Sequence, residues 1–324
     1  MKQDQFEALY GKVWQRIETL LLQLERNKAE GEVLPAEEFP QLYRRVCHFL
    51  SLAQERQYSS YLVEHLNDLV LRGHHQLYRF QVNVRSRLIR FLLVDFPQLV
   101  RQEQRFIWAA MALLYGPGLL IYGLILLQPE LVFSLLDPVQ VNQFEDMYSS
   151  DQEHVGRDRA SDTDFMMFGY YIYTNISVAF RCFASGLVYM VGAVFSLAFN
   201  GLYMGAVAAH LTNVGYTETF FSFVVGHGSF ELTAIGIAGG AGLKLGYSLL
   251  APGRLTRLQS LRQAAAVTVR IMYGVILMLV IAAFIEAFWS SNGSLAAGVK
   301  YSVAAVLWFL VIGYFWRMGR SLET

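Results

Sequence analysis

The chain has 324 residues, of which 54% belong to the hydrophobic set and only 16% are charged. Its mean hydropathy is positive. Charged residues make up about a quarter of an ordinary soluble domain, so this composition excludes a wholly water-soluble globule. Lysine plus arginine and aspartate plus glutamate balance at 26 each, which removes the overall basic excess expected of a nucleic-acid binder.

The polar residues are concentrated at the start. The first 105 positions hold 28 of the 52 charges, which predicts a polar helical domain over 1–105 and an all-α, polytopic membrane bundle over 106–324. In the first part, Phe6, Leu9, Val13, Ile17, Leu20, Leu21 and Leu24 recur at helical intervals, and after a break around Pro35 the pattern returns with Leu42, Val46, Phe49, Leu50 and Ala53. A third helix carries Tyr61, Leu62, Leu66, Leu69, Val70, Leu77 and Phe80. Three amphipathic helices can bury one another's apolar faces as a small bundle. The segment from Val82 to Pro97 reads in two ways. Ser86, Arg87 and Arg90 share one arc and Val84, Leu88, Phe91 and Leu92 the opposite one, as in a helix on an anionic membrane surface or a fourth bundle helix.

A bilayer span takes roughly 20 apolar residues. Phe106 to Leu127 provides one; Tyr170 to Leu211 is long enough for two, with Gly186 and Gly192 allowing a reversal; Ser229 to Leu250, Ala264 to Trp289 and Tyr301 to Trp316 bring the expected count to six. Arg101 and Arg105, then Arg254, Arg257 and Arg262, then Arg317 and Arg320 fall on one side if the count is even. That places both termini in the cytoplasm. The start MKQDQFEALYGKVW has no signal-peptide apolar core, so the first span is expected to act as an uncleaved signal. The segment 128–168 carries nine acids against Arg157 and Arg159 and is expected outside, as an acidic loop. Cys47 and Cys182 are the only cysteines and offer neither a disulfide framework nor a thiol metal cluster.

Charges inside a bilayer cost on the order of 3 kcal/mol each even on the lenient insertion scale, so each calls for a partner or a purpose. Asn175, Asn200, His227, Glu231 and Glu286 form the expected intramembrane polar site, with Arg181, Lys244 and Arg270 as charge partners, the last two also able to snorkel. His210 is a further intramembrane polar residue. The stretch VVGHGSFELTAIGIAGGAGLKLG sets Gly226 and Gly228 around His227. This predicts a helix break with a new helix starting near Ser229 and Glu231 in its first turn, after a short re-entrant or interfacial TETFFSFVV. A continuous helix would instead put His227 and Glu231, four apart, on one face, a spacing that permits metal binding. HGSFE contains one histidine and no HExxH motif, so no metal, cofactor or catalytic residue is expected. Gly201 and Gly205, and Gly239, Gly242 and Gly246, give small-residue faces for close helix packing, within one subunit or between the subunits of a homodimer.

The sequence resembles the stage II sporulation protein M family of bacterial membrane proteins. The likeness is carried by Asn175-Ile176, Asn200-Gly201 with Gly205, His227-Gly228 through Phe230-Glu231-Leu232, Ala238 to Gly242 followed by Leu243-Lys244-Leu245-Gly246, and Ala282-Ala283 through Glu286. Leu69 to Tyr78 is similar to the soluble region of the family's longer members. Gly226 and Thr233 stand where the family commonly has proline, which implies a softer helix break. The family's namesake is a membrane scaffold that holds cell-wall-degrading enzymes, so the resemblance implies a non-enzymatic scaffold with the lipid bilayer and membrane or envelope proteins as partners. The competing reading of the buried polar residues is a transporter or channel in which His227, Glu231 and Glu286 line a path.

Overall fold

The computed structural model describes residues 1–26, 38–79, 84–149 and 164–320, and these are helical with no strand. The expected break around Pro35, Phe80 and four of the loop acids (Asp151, Glu153, Asp158 and Asp162) lie outside the described residues. The chain divides into two units, Met1–Ile89 and Arg90–Thr324.

In the first unit, α1 (Gln3–Arg26), α2 (Phe39–Glu55) and α3 (Ser60–Arg79) pack as three helices. Their shared core is Phe6, Trp14, Ile17, Leu20 and Leu21 against Phe39, Leu42, Val46, Phe49 and Ala53, and against Leu62, Leu66 and Leu69. Leu9 and Tyr61 belong to the apolar periodicity yet face outward, whereas Trp14 and Phe39 enter the core. Arg72 links α3 to α1 through Glu25 at 3.0 Å, and that hydrogen-bonded carboxylate raises the guanidinium's pKa. The short α4 (Val84–Arg90) follows, and its residues up to Ile89 fall within the first unit.

The second unit begins before the expected boundary at 105. A π-helical turn, Phe91–Asp95, leads into α5 (Phe96–Gln102), and Phe96, Leu99 and Val100 are buried in the same core as Ile271, Val275 and Leu279. Residues 90–105 therefore pack with the membrane unit.

Among the described residues, five helices are long and apolar enough to cross a membrane: Gln104–Leu127 (α6), Val191–Asn213 (α9), Thr217–Leu250 (α10), Arg257–Ser290, which comprises α11 (Arg257–Ile285) and a terminal π-helical turn, and Ala297–Arg317 (α12). Trp108, Leu119, Phe195, Phe309 and Trp316 project outward from these helices, as side chains facing lipid do. The expected sixth span, α8 (Asp164–Ala184), has 21 residues but is made more polar by Tyr170, Tyr171, Tyr173, Asn175 and Arg181. It nevertheless packs against α10 and α11. The ends of the bundle agree with an even number of traversals. Arg101, ahead of α6, donates to the carbonyl oxygens of Phe315 (3.0 Å) and Met318 (2.7 Å) at the end of α12. Gln98 donates to the Gly319 carbonyl at 2.7 Å, and the Lys244 ammonium near the end of α10 pairs with Glu103. All three basic clusters thus flank one end.

The 42-residue run is split as expected, by a short 3-10 turn at Ser185–Leu187. The left-handed backbone there belongs to Tyr189 and Met190 (φ 47° and 67°), not to the glycines. Gly186 serves close approach instead: a Cβ on it would fall on the Gly242 backbone.

The largest difference from expectation is α10, which is one helix of 34 residues with no break at Gly226 or Gly228. TETFFSFVV is its first part rather than a re-entrant piece. Without a proline, glycine costs a helix only about 1 kcal/mol, and the turn is supported from both sides. Ser229 Oγ donates to the Gly226 carbonyl at 2.8 Å, and Trp308 Nε1 of α12 donates to the Val225 carbonyl at 3.1 Å.

Helix α10 is also the centre of the unit, and its glycines are used within the chain. A Cβ would strike the Leu197 side chain from Gly239, the Cys182 and Phe183 backbone from Gly242, and the Gly186 and Met190 backbone from Gly246. On α9, Gly201 and Gly205 rest on the Leu114 and Gly118 carbonyls of α6. Lipid offers helices no hydrophobic reason to associate, so backbone-close packing of this kind is what holds them. These glycines consequently give no face to a second subunit.

The acidic loop is folded where it is described. A 3-10 turn at Pro129–Ser134 precedes α7 (Pro138–Tyr148), whose start is closed by a reciprocal Asp137 and Gln140 capping box. Val132, Leu136, Val141 and Tyr148 pack onto Ile125, Ala206, Leu211, Phe220 and Phe223. Two polar bonds fasten α7: Glu145 to His210 Nε2 at 2.7 Å, and the Tyr148 carbonyl to Thr219 Oγ1 at 2.8 Å.

Candidate functional site

The unbroken α10 decides the geometry of the site. Four residues make a little more than one helical turn, so His227 and Glu231 project from one face, with His227 Nε2 3.8 Å from Glu231 Oε2. Facing them, the end of α11 widens into the π-helical turn Glu286–Ser290, a feature common at functional sites because it re-aims side chains. One donor atom from each of His227, Glu231 and Glu286 can be chosen so that all lie within 4.8 Å of one another.

A ring of further bonds orients this trio. His227 Nδ1 lies 3.1 Å from Ser290 Oγ, and the Phe223 ring stands edge-on to the imidazole with centroids 5.2 Å apart. Asn175 Nδ2 of α8 donates to Glu286 Oε2 at 3.4 Å. Lys300, only 4% exposed, donates from Nζ to the Ser290 carbonyl at 2.8 Å and so holds the π-helical turn from α12. Four helices converge on the site. Its open side is a cavity of about 220 Å³, bounded by His227, Glu231 and Glu286 and roofed by Phe144 and Tyr148 of α7.

Of the five residues expected in the polar site, Asn175, His227, Glu231 and Glu286 are brought together. Asn200 is elsewhere, donating to the Ser196 carbonyl at 2.7 Å and lying 3.9 Å from Cys182 Sγ. The expected charge partners do not reach the glutamates: Lys244 pairs with Glu103, Arg270 approaches Asp95 at 4.0 Å, and the exposed Arg181 donates to the Ser177 carbonyl at 3.2 Å. Sequence reasoning missed Ser290 and Lys300. Lys300 fell one residue outside the expected last span, and a serine at the end of an apolar run carries no signal until its neighbour across the bundle is known.

A family model described as Stage II sporulation protein M matches residues 106–291. The chain belongs to that family. The match runs from α6 through the π-helical turn, so every donor of the trio falls inside it. A second model, for a domain of unknown function (DUF8413), matches residues 4–79 and coincides with the three-helix unit. No curated protein and no solved structure matches.

Proposed function

We propose that this Stage II sporulation protein M family member is a non-enzymatic membrane scaffold of the bacterial inner membrane. Both termini and the three-helix unit lie in the cytoplasm and α7 lies outside. Its partners are membrane or envelope proteins and a second copy of the chain, the latter meeting it through lipid-facing surfaces rather than through the glycines of α10. The basic clusters at one end support the orientation.

The observation that favours a scaffold over a transporter is the closure of α10 beyond the polar site. From Ala234 to Gly246 its residues are buried apart from the partly buried Lys244, and Gly236, Gly239, Gly240, Gly242 and Gly246 leave no room for even a Cβ. The cavity at Glu231 therefore reads as a dead end opening toward α7. A conducting path would have to part backbones that touch.

The test combines two measurements on the full-length protein. Photocrosslinkers on the exposed faces of α2 and α7 in native membranes should capture defined proteins on both sides. Purified protein in liposomes should pass neither protons nor small cations. Flux abolished by Glu231→Gln, with no captured partner, would replace the scaffold by the transporter.

A further inference from the structure

The absence of HExxH speaks against a metallopeptidase motif but leaves a different ligand set open. We propose that His227, Glu231 and Glu286 form a binding site for one divalent transition-metal ion of the zinc class. The juxtaposition that carries the proposal is an imidazole and a carboxylate four residues apart on α10, facing a second carboxylate from the α11 π-helical turn, at the edge of a cavity.

The chemistry fits the ion in three respects. One nitrogen and two carboxylate oxygens are the donor types that zinc takes, and three protein ligands with one position left to water is a common arrangement. The imidazole selects against magnesium and calcium, which prefer oxygen alone. At metal–ligand distances of about 2.1 Å a tetrahedral ion holds its donors roughly 3.4 Å apart. His227 Nε2 and Glu231 Oε2, at 3.8 Å, are close to that separation, and the trio's donors, within 4.8 Å of one another, would draw in further around the ion.

The surrounding bonds are those that a ligand set needs. Metal-bound histidines pass their other ring N–H to an outer acceptor, which fixes the tautomer. Ser290 Oγ, 3.1 Å from His227 Nδ1, can accept that proton and leave the Nε2 lone pair toward Glu231. Asn175 orients the Glu286 carboxylate in the same way. Glu231 makes no hydrogen bond among the described residues, and its side chain remains 20% exposed beside the cavity. The ion's fourth position would face that cavity.

The probe is zinc itself, with cobalt(II) as its spectroscopic substitute, added to the untagged full-length protein in detergent and followed by exhaustive dialysis. The expected result is about one zinc per chain by elemental analysis, visible absorption typical of four-coordinate cobalt, and a raised thermal midpoint with zinc. Glu231→Gln and Glu286→Gln should each weaken zinc at least about 100-fold. Ser290→Ala, which removes only the hydroxyl beside His227 Nδ1, should weaken it about 10-fold to 100-fold, and His48→Ala, exposed on α2 in the first unit, should leave it unchanged. Failure to retain stoichiometric zinc overturns the proposal. So does zinc retained equally by Glu231→Gln and Glu286→Gln, each shown to be folded by size-exclusion profile. Partner capture and liposome flux are read separately, so this result and the scaffold reading can fail independently.

Discussion

Gly186 packs on the backbone of Gly242, so closely that a single added carbon would overlap the carbonyl group. The contact joins the turn between α8 and α9 to the last third of α10. Because the obstacle is backbone rather than a flexible side chain, it cannot swing aside.

Gly186→Ala and Gly242→Ala should each destabilise the membrane unit toward the upper end of the roughly 1–3 kcal/mol typical of overpacking. Gly123→Ala, at a position in α6 with open space around it, should be neutral or slightly stabilising. Thermal unfolding in detergent, read from helical signal and monodispersity, distinguishes them. Equal midpoints for all three variants would contradict the packing described.

The site was partly legible beforehand, and the reasons are physical. His227 and Glu231 are close in sequence, so their pairing needed only the knowledge that α10 is continuous. The glycines on either side of His227 argue against continuity, because the local sequence does not show the support that Ser229 and Trp308 give. Glu286 was conspicuous as a charge in an apolar run, but its partnership depends on how α11 meets α10, which no spacing encodes. Arg181 and Arg270 were equally conspicuous and lie elsewhere, since long basic side chains can reach water or local carbonyls where a short carboxylate cannot. The three-helix unit was easier to read. Amphipathic periodicity carries most of that information, and Leu9 and Tyr61 are the positions where periodicity alone misjudged the buried face.

That first unit has its own core, and Leu66 is completely buried in it. Leu66→Ala should cost about 2–5 kcal/mol. Residues 1–89 made alone should give a helical, cooperatively unfolding protein that this substitution weakens. A non-cooperative melt of the unsubstituted fragment would show that the unit depends on the remainder of the chain.

Orientation is open to direct labelling. With Cys47 and Cys182 replaced by serine, a membrane-impermeant thiol reagent applied outside should modify Ser134→Cys beside α7 but not Arg254→Cys between α10 and α11. Labelling of Arg254→Cys alone would invert the proposed topology, and labelling of both in sealed cells would deny it.

The Glu145 and His210 bond holds α7 over the cavity. His210→Ala should speed hydrogen exchange across Pro138–Tyr148 by roughly 5-fold to 10-fold, as expected for losing about 1 kcal/mol of local stability. Exchange in α11 should be unaffected. Unchanged exchange in α7 would mean that its apolar face alone secures it.

The hold that Arg101 and Gln98 keep on the end of α12 joins residues more than 200 positions apart. A ribosome makes the two donors long before it makes the carbonyls that satisfy them. Throughout the intervening synthesis the segment ahead of α6 waits with unspent hydrogen bonds, and Phe96 lacks Phe315, an aromatic neighbour at 5.6 Å. The bundle is therefore fastened last where it was begun first, and a nascent chain arrested before residue 315 would present an unlatched edge for chaperones and proteases to recognise.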